Sequence, residues 1–221
     1  MLTKELISDE VPSLKTSDTG IKALYWMDIF RISHLPIVNN EEFLGLISDT
    51  DIYDMNTPDE AIGNHNLSLF SPFVFDYQHI YEAIELVARL KLSVVPVLDS
   101  SKNYLGLITV QRFIQYMGDL FGVKNPGGII VLELSINDYS LSQISQIVES
   151  NDAKILSLYI QTFPDSKVMD LTLKINRIDL GGIIQTFIRF EYLVKASYSE
   201  FNDLESLYNN RYEQFMHFLN I

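Results

Sequence analysis

The chain has 221 residues, 47% hydrophobic and 20% charged, the balance of a globular protein long enough for one large domain or two ordinary ones. A net charge of −13, with no basic stripe to offset it, argues against holding nucleic acid through its phosphates. No apolar run approaches the ~20 residues that cross a bilayer, and the first ten residues already carry Glu5, Asp9 and Glu10. Neither a membrane partner nor a signal peptide is therefore expected. The absence of cysteine excludes disulfides, thiolate nucleophiles and cysteine-held metal, in keeping with an expected cytoplasmic location.

In chain order, a short polar segment comes first, and Val11-Pro12-Ser13-Leu14 reads as an edge strand because proline cannot donate to a ladder. Ser17 or Asp18 is placed to cap a helix to about Phe30, with Ile21, Leu24 and Tyr25 at helical spacing. From Ser33 to Ser48 the pattern predicts two short buried strands around a polar turn. Asp49-Thr50-Asp51 then opens a short helix that stops before Asn56-Thr57-Pro58. Pro58, Gly63, Asn64, Asn66 and Pro72 mark a connector.

After the connector the pattern returns. Phe73 to Phe75 is a strand, Asp76 a cap, and residues 80–90 a helix. Strands at 93–98 and 104–108 and a helix from Val110 to Phe121 follow. Pro36 and Pro96 are 60 positions apart, as are Ala23 and Ala83, while Gly45 and Gly106 are 61 apart. A fixed period over apolar, turn and helix positions means one supersecondary unit written twice. Trp26, Tyr25, Phe30, Phe70, Phe73 and Phe75 are read as core or interface aromatics.

Asn125-Pro126-Gly127-Gly128 resists any regular element and is the clearest boundary. Beyond it come a strand at 129–135, a turn at Asn137-Asp138-Tyr139-Ser140 in which Asp138 is expected to cap, and a helix striped by Leu141, Ile144, Ile147 and Val148. A hairpin of 153–163 with 168–175 follows, then a helix capped by Asp179, with Gly181 and Gly182 inside its pattern, and a strand at 192–198. The order βαββαβ is that of the split βαβ arrangement. Residues 200–221 place Phe201, Leu204, Phe215 and Phe218 on one helical side, expected to fold back on their own domain or to pair with a second chain.

The duplicated half resembles a pair of CBS (cystathionine-β-synthase) domains. The likeness rests on His34-Leu35-Pro36-Ile37-Val38 with Gly45-Leu46-Ile47-Ser48-Asp49-Thr50-Asp51, and on Val95-Pro96-Val97-Leu98-Asp99 with Gly106-Leu107-Ile108-Thr109. Residues 129–199 resemble an ACT domain in topology. The combination is similar to regulatory proteins of the acetoin-utilisation B type. The expected fold class is thus α+β: a CBS pair over 1–122 (copies at about 1–57 and 58–122), a linker at 123–128, a ferredoxin-like ACT-like domain at 129–199, and a terminal helix at 200–221.

The resemblance implies a regulatory, non-catalytic protein. It would bind AMP, ADP, ATP or S-adenosylmethionine between the repeats, form homodimers and act on a regulated partner. In the family pattern a Ser or Thr after Gly and two hydrophobic residues meets phosphate or ribose, and an acid three positions on takes the ribose diol. Those roles fall on Ser48 and Asp51, with His34 beside them and Arg112 or Arg31 as phosphate partners. The second copy keeps Thr109 but has Arg112 where the acid belongs, and a guanidinium cannot accept from a diol. Ser48, Asp51 and His34 also have plain structural uses as strand end, helix cap and turn residue. In the ACT-like part, amino-acid binders carry an Asp-Arg-Pro-Gly-type turn, which here is Asn137-Asp138-Tyr139-Ser140, leaving Asp138 as a weak amino-acid contact. The four histidines, at 34, 65, 79 and 217, lack metal-ligand spacing, and no nucleophile elbow or phosphate-cradling glycine loop is present.

Overall fold

The computed structural model describes residues 1–65 and 69–199; the expected helix over 200–221 lies outside the described residues. The chain divides into two compact units, Met1–Tyr116 and Met117–Ile221. No helix among the described residues is long and apolar enough to cross a membrane.

In the first unit, α1 (Gly20–Phe30) leads into β1 (His34–Asn39), which pairs antiparallel with β2 (Glu42–Ser48), and α2 (Asp49–Tyr53) follows. The second repeat gives β3 (Val74–Phe75), α3 (Ile80–Leu90), β4 (Val94–Leu98), β5 (Tyr104–Thr109) and α4 (Val110–Leu120). The parallel bridge Leu14↔Ile37 recurs 60 residues later as Val74↔Val97. The bulge at Ile37/Val38 recurs at Val97/Leu98. Repetition therefore reaches hydrogen-bond register. The edge strand expected at 11–14 is reduced to that single bridge at Leu14.

Helix caps in both repeats differ from expectation. Thr19 caps α1, its hydroxyl accepting from the Lys22 N–H, because Asp18 is taken up by the Lys15 N–H at 2.8 Å and the Lys22 ammonium at 2.7 Å. His79 caps α3 in place of Asp76, its Nδ1 accepting from Tyr81 N–H.

The N-terminal segment completes the second repeat. Thr3 and Lys4 donate to the carbonyls of Gln78 and Asp76, just as Ile62 and Gly63 donate to those of Asp18 and Thr16 in the first repeat. Further along, the Ser8 N–H donates to Leu107 on β5 at 2.8 Å, and the Leu46 N–H of β2 donates to Phe70 at 2.8 Å. Glycine makes both crossings possible. Gly106 has φ +149°, and a Cβ there would stand 2.5 Å from Ile7 Cγ2; Gly45 has φ +153°, and a Cβ would stand 2.7 Å from Leu69 Cβ.

The repeats share a core: Leu35, Ile37 and Ile47 of the first cluster with Leu92, Val94 and Leu107 of the second. Among the expected aromatics, Trp26 and Phe30 pack against this core, whereas Tyr25 and Phe70 are exposed, at 62% and 56%.

The second unit is a four-stranded antiparallel sheet in the order β7 (Ile155–Thr162), β8 (Val168–Ile175), β6 (Gly128–Ser135), β9 (Leu193–Tyr198). With α5 (Leu141–Glu149) and α6 (Gly181–Arg189) this is the ferredoxin-like βαββαβ topology. Alternating residues of β6 and β8, among them Ile130, Leu132, Leu171 and Leu173, bury one face with Ile144, Ile147, Ile184 and Phe187 of the helices. Gly181 and Gly182 are the first residues of α6, so they carry no helix-interior cost. A Cβ on Gly182 would meet Asn151 Oδ1 at 3.2 Å, a close approach that favours glycine there.

Candidate functional site

The sequence-predicted residues fall into separate places. Ser48 and Asp51 close on each other at the start of α2. The Ser48 hydroxyl donates to Asp51 Oδ2 at 2.7 Å and accepts from the Asp51 N–H at 3.1 Å, while the Ser48 N–H donates to the same Oδ2 at 2.8 Å. This reciprocal capping box satisfies two otherwise unpaired helix-start donors. Oδ1 of Asp51 keeps no partner among the described residues.

His34 lies at the seam between the repeats. Its Nδ1 stands 3.1 Å from both the Ser33 and the Ser93 hydroxyls, and the Ser93 N–H donates to it at 3.4 Å. The Ser33 N–H in turn donates to Ser93 Oγ at 3.0 Å, so positions 33–34 and 93 join the two repeats, with His34 Nδ1 accepting from the Ser93 N–H. Burial holds the imidazole below its ordinary value, against the opposing pull of Asp49 and Asp51. Arg31 ends α1 in the left-handed region, and its guanidinium pairs with Asp28 at 2.8 Å with both side chains exposed.

Thr109 and Arg112 do share a cleft, of about 530 Å³ and within the size range of small-molecule sites. It is built from three stretches far apart in sequence. Residues 7–11 form one wall, held on β5 by the Ser8 hydrogen bond and the bare Gly106. Ile29 and Phe30 at the end of α1 give apolar surface, Phe30 being stacked on Trp26 at 5.8 Å. Thr109, Gln111, Arg112 and Gln115 supply the polar wall at the start of α4. Thr109 is buried, and its hydroxyl accepts from the Arg112 N–H at 3.2 Å, which leaves its O–H free to donate. Arg112 is exposed and has no ion-pair partner among the described residues; Asp9 and Glu10, exposed on the facing segment, are likewise outside any ion pair. Ser48, Asp51, His34 and Arg31 are not among the lining residues. Sequence reasoning missed residues 7–11, Ile29 and Phe30. The available signal was the second repeat's want of a trailing connector like that of the first, which the N-terminal segment supplies.

Residues 4–55 and 71–119 each match the family model of the CBS domain. The first unit is a tandem CBS pair. Among solved structures, the chain is similar to a CBS domain pair/ACT domain protein of Thermotoga maritima (21% identity, TM-score 0.48), over 54% of this chain and 98% of that one. It is also similar to the CBS domains of a transcriptional regulator of Streptococcus pneumoniae (21% identity, TM-score 0.46, over 52% and 98% of the two chains). A third is CBSX2, solved in complex with AMP (16% identity, TM-score 0.46, over 53% and 96%). Within the pair, Arg112 holds the position in α4 that Asp51 holds in α2, 61 residues earlier, so the two repeats carry opposite charge at the same place in the fold.

In the ferredoxin-like unit Asp138 does not cap α5. Ser140 does, accepting from the Gln143 N–H, because the 3-10 turn Ile136–Asp138 holds the acid two residues short of the cap position. Asp138 borders a cleft of about 430 Å³ with Glu133, Gln143, Glu191 and Tyr192. The Tyr192 hydroxyl donates to Gln143 Oε1 at 2.8 Å, and burial together with the Asp138 charge pushes the phenol up. No Lys or Arg is among the lining residues, so the cleft offers no cation to an amino-acid carboxylate. That chemistry does not favour the weak amino-acid contact expected at Asp138.

Proposed function

We propose that the CBS pair is a sensor for an adenosyl ligand such as AMP, ADP, ATP or S-adenosylmethionine, taken up in the cleft at the start of α4. The observation that carries the reading is that cleft itself: apolar surface from Ile29 and Phe30 suits a base, and the Thr109 hydroxyl and the unpaired Arg112 suit a phosphate. Ser48, Asp51 and His34 form its pseudo-symmetric counterpart, where the free Oδ1 of Asp51 accepts from a ribose diol. The ferredoxin-like unit acts as an ACT-like relay that sets homodimer association or contact with a regulated protein in the cytoplasm, after the manner of acetoin-utilisation B type proteins. Isothermal titration of the full chain with the four ligands tests the reading. It predicts saturable heat with at least one, and no heat with any of them defeats it.

The reciprocal Ser48–Asp51 cap favours a second reading, because it puts the carboxylate of the first repeat to structural use. In that reading the chain is a ligand-free dimerisation scaffold. Light scattering separates the two: a scaffold keeps one association state with or without each ligand, and a sensor changes or titrates.

A further inference from the structure

Both helices of the ferredoxin-like unit, α5 and α6, pack on the same face of its sheet. On the opposite face the register sets Ser157, Lys174 and Ile129 in one row across β7, β8 and β6. Where Glu133 faces Asp170, this face is electrically closed: the Lys195 ammonium stands 3.3 Å from the one and 2.7 Å from the other. Around Lys174 it is not. The Lys174 ammonium donates to the Gly127 carbonyl at 3.0 Å, and no carboxylate among the described residues comes within ion-pair distance of it. An ammonium has three donors, so two remain for another acceptor. A cleft of about 350 Å³ opens beside it, at the small end of the range for ligand sites. Phe121, Val123, Ile129 and Tyr159 give it apolar surface, with the Phe121 and Tyr159 rings 5.6 Å apart. The stretch that carries Phe121 and Val123 is pinned. Their N–H groups donate to Met117 and Gly118 at 2.9 and 3.0 Å, and the Ser157 hydroxyl donates to the Phe121 carbonyl at 2.9 Å. The described lining thus holds one cation, no acid and a preformed apolar wall.

We infer that this cleft binds a small apolar monocarboxylate: Lys174 takes the carboxylate, and Phe121, Val123, Ile129 and Tyr159 take the hydrocarbon or aromatic part. An α-amino acid fits less well, because its ammonium would leave water without meeting a carboxylate among the described lining residues. A second copy of the chain is also the poorer occupant, since two such patches face to face would oppose two Lys174 cations. The lining shares no residue with the cleft at the start of α4, so the ferredoxin-like unit receives a signal of its own whether or not the CBS pair takes an adenosyl ligand. A charge-assisted contact to the carboxylate corresponds to about tenfold in affinity.

The test is titration calorimetry on the full chain with phenylacetate, its uncharged amide phenylacetamide, and L-phenylalanine. It is run on the natural protein, on Lys174→Met, on Lys174→Arg and on Tyr159→Ala, each verified as folded by far-UV circular dichroism. The natural chain is expected to bind phenylacetate about tenfold tighter than the amide, and tighter than L-phenylalanine. Lys174→Met is expected to bring acid and amide within about twofold, while Lys174→Arg, which keeps the charge, keeps the preference. Tyr159→Ala is expected to weaken acid and amide alike, by about threefold or more. Equal binding of acid and amide by the natural chain overturns the inference, as does a Lys174→Met protein that still prefers the acid or a Lys174→Arg protein that does not. Tighter binding of L-phenylalanine than of phenylacetate overturns the ligand class. Unchanged binding by Tyr159→Ala overturns the location, and no saturable heat with any of the three at millimolar concentration overturns the site altogether.

Discussion

Replacing Gly106 by alanine tests how the cleft wall is held. The backbone there has φ +149°, and the added methyl would stand 2.5 Å from Ile7 Cγ2 and 3.9 Å from Ile7 Cβ. Ile7 is β-branched, with few rotamers to escape into, and its neighbour Ser8 is tied to β5 by a 2.8 Å hydrogen bond. Backbone strain of this kind costs about 1–3 kcal/mol, and displacing Ile7 adds to it, so a loss of roughly 2–4 kcal/mol is expected. For a chain of this size that corresponds to a fall in Tm of roughly 4–16 °C, at about 2–4 °C per kcal/mol. Gly118→Ala is the control: in α4, with nothing within 4 Å of the added carbon, it should be neutral or stabilise by about 0.5–1 kcal/mol. Thermal unfolding followed by the emission of Trp26, the only tryptophan and a residue of the first unit, reads Gly106→Ala, and far-UV circular dichroism, which follows both units, reads Gly118→Ala. A Gly106→Ala protein that melts with the parent would refute the close crossing of residues 7–8 over β5.

Other outcomes follow from the same geometry. His34 has its imidazole value held down by burial, so the unfolded chain binds more protons in the window just below the ordinary value of 6.5. Stability should therefore rise with pH through that window and be complete above it, and His34→Gln should flatten the slope in urea unfolding measured from pH 5 to 7.5. Ser48→Ala removes the hydroxyl that accepts from the Asp51 N–H while leaving the Ser48 N–H bonded to Asp51 Oδ2, and should cost about 1 kcal/mol in the same assay, with a larger loss than Ser101→Ala at an exposed turn. Phe187→Ala empties a fully buried site between α6 and the sheet and should cost about 3–5 kcal/mol, read by far-UV circular dichroism.

The duplication was legible because its markers are residues with few substitutes. Pro36 and Pro96 sit at matching strand positions, and Gly45 and Gly106 at positions where a side chain would strike a crossing segment. The βαββαβ order was legible from alternation in β6 and β8, where every second residue is buried. Caps were harder, since neighbouring polar residues compete. Ser17 and Asp18 were the expected candidates, yet Thr19 caps α1 because Lys15 and Lys22 claim the Asp18 carboxylate, and Asp138 lost to Ser140 because a 3-10 turn holds it off the helix start. The cleft was the least legible part. Arg112 and Thr109 could be found by repeat alignment, but Asp9, Glu10 and Phe30 reach them only through a chain crossing that no local pattern encodes.

Hydrogen exchange of the full chain, with and without saturating AMP, bears most directly on the place of recognition. The account predicts slowed exchange at amides of residues 7–11 and 109–115. Unchanged exchange at both stretches, or slowing confined to the ferredoxin-like unit, would contradict it.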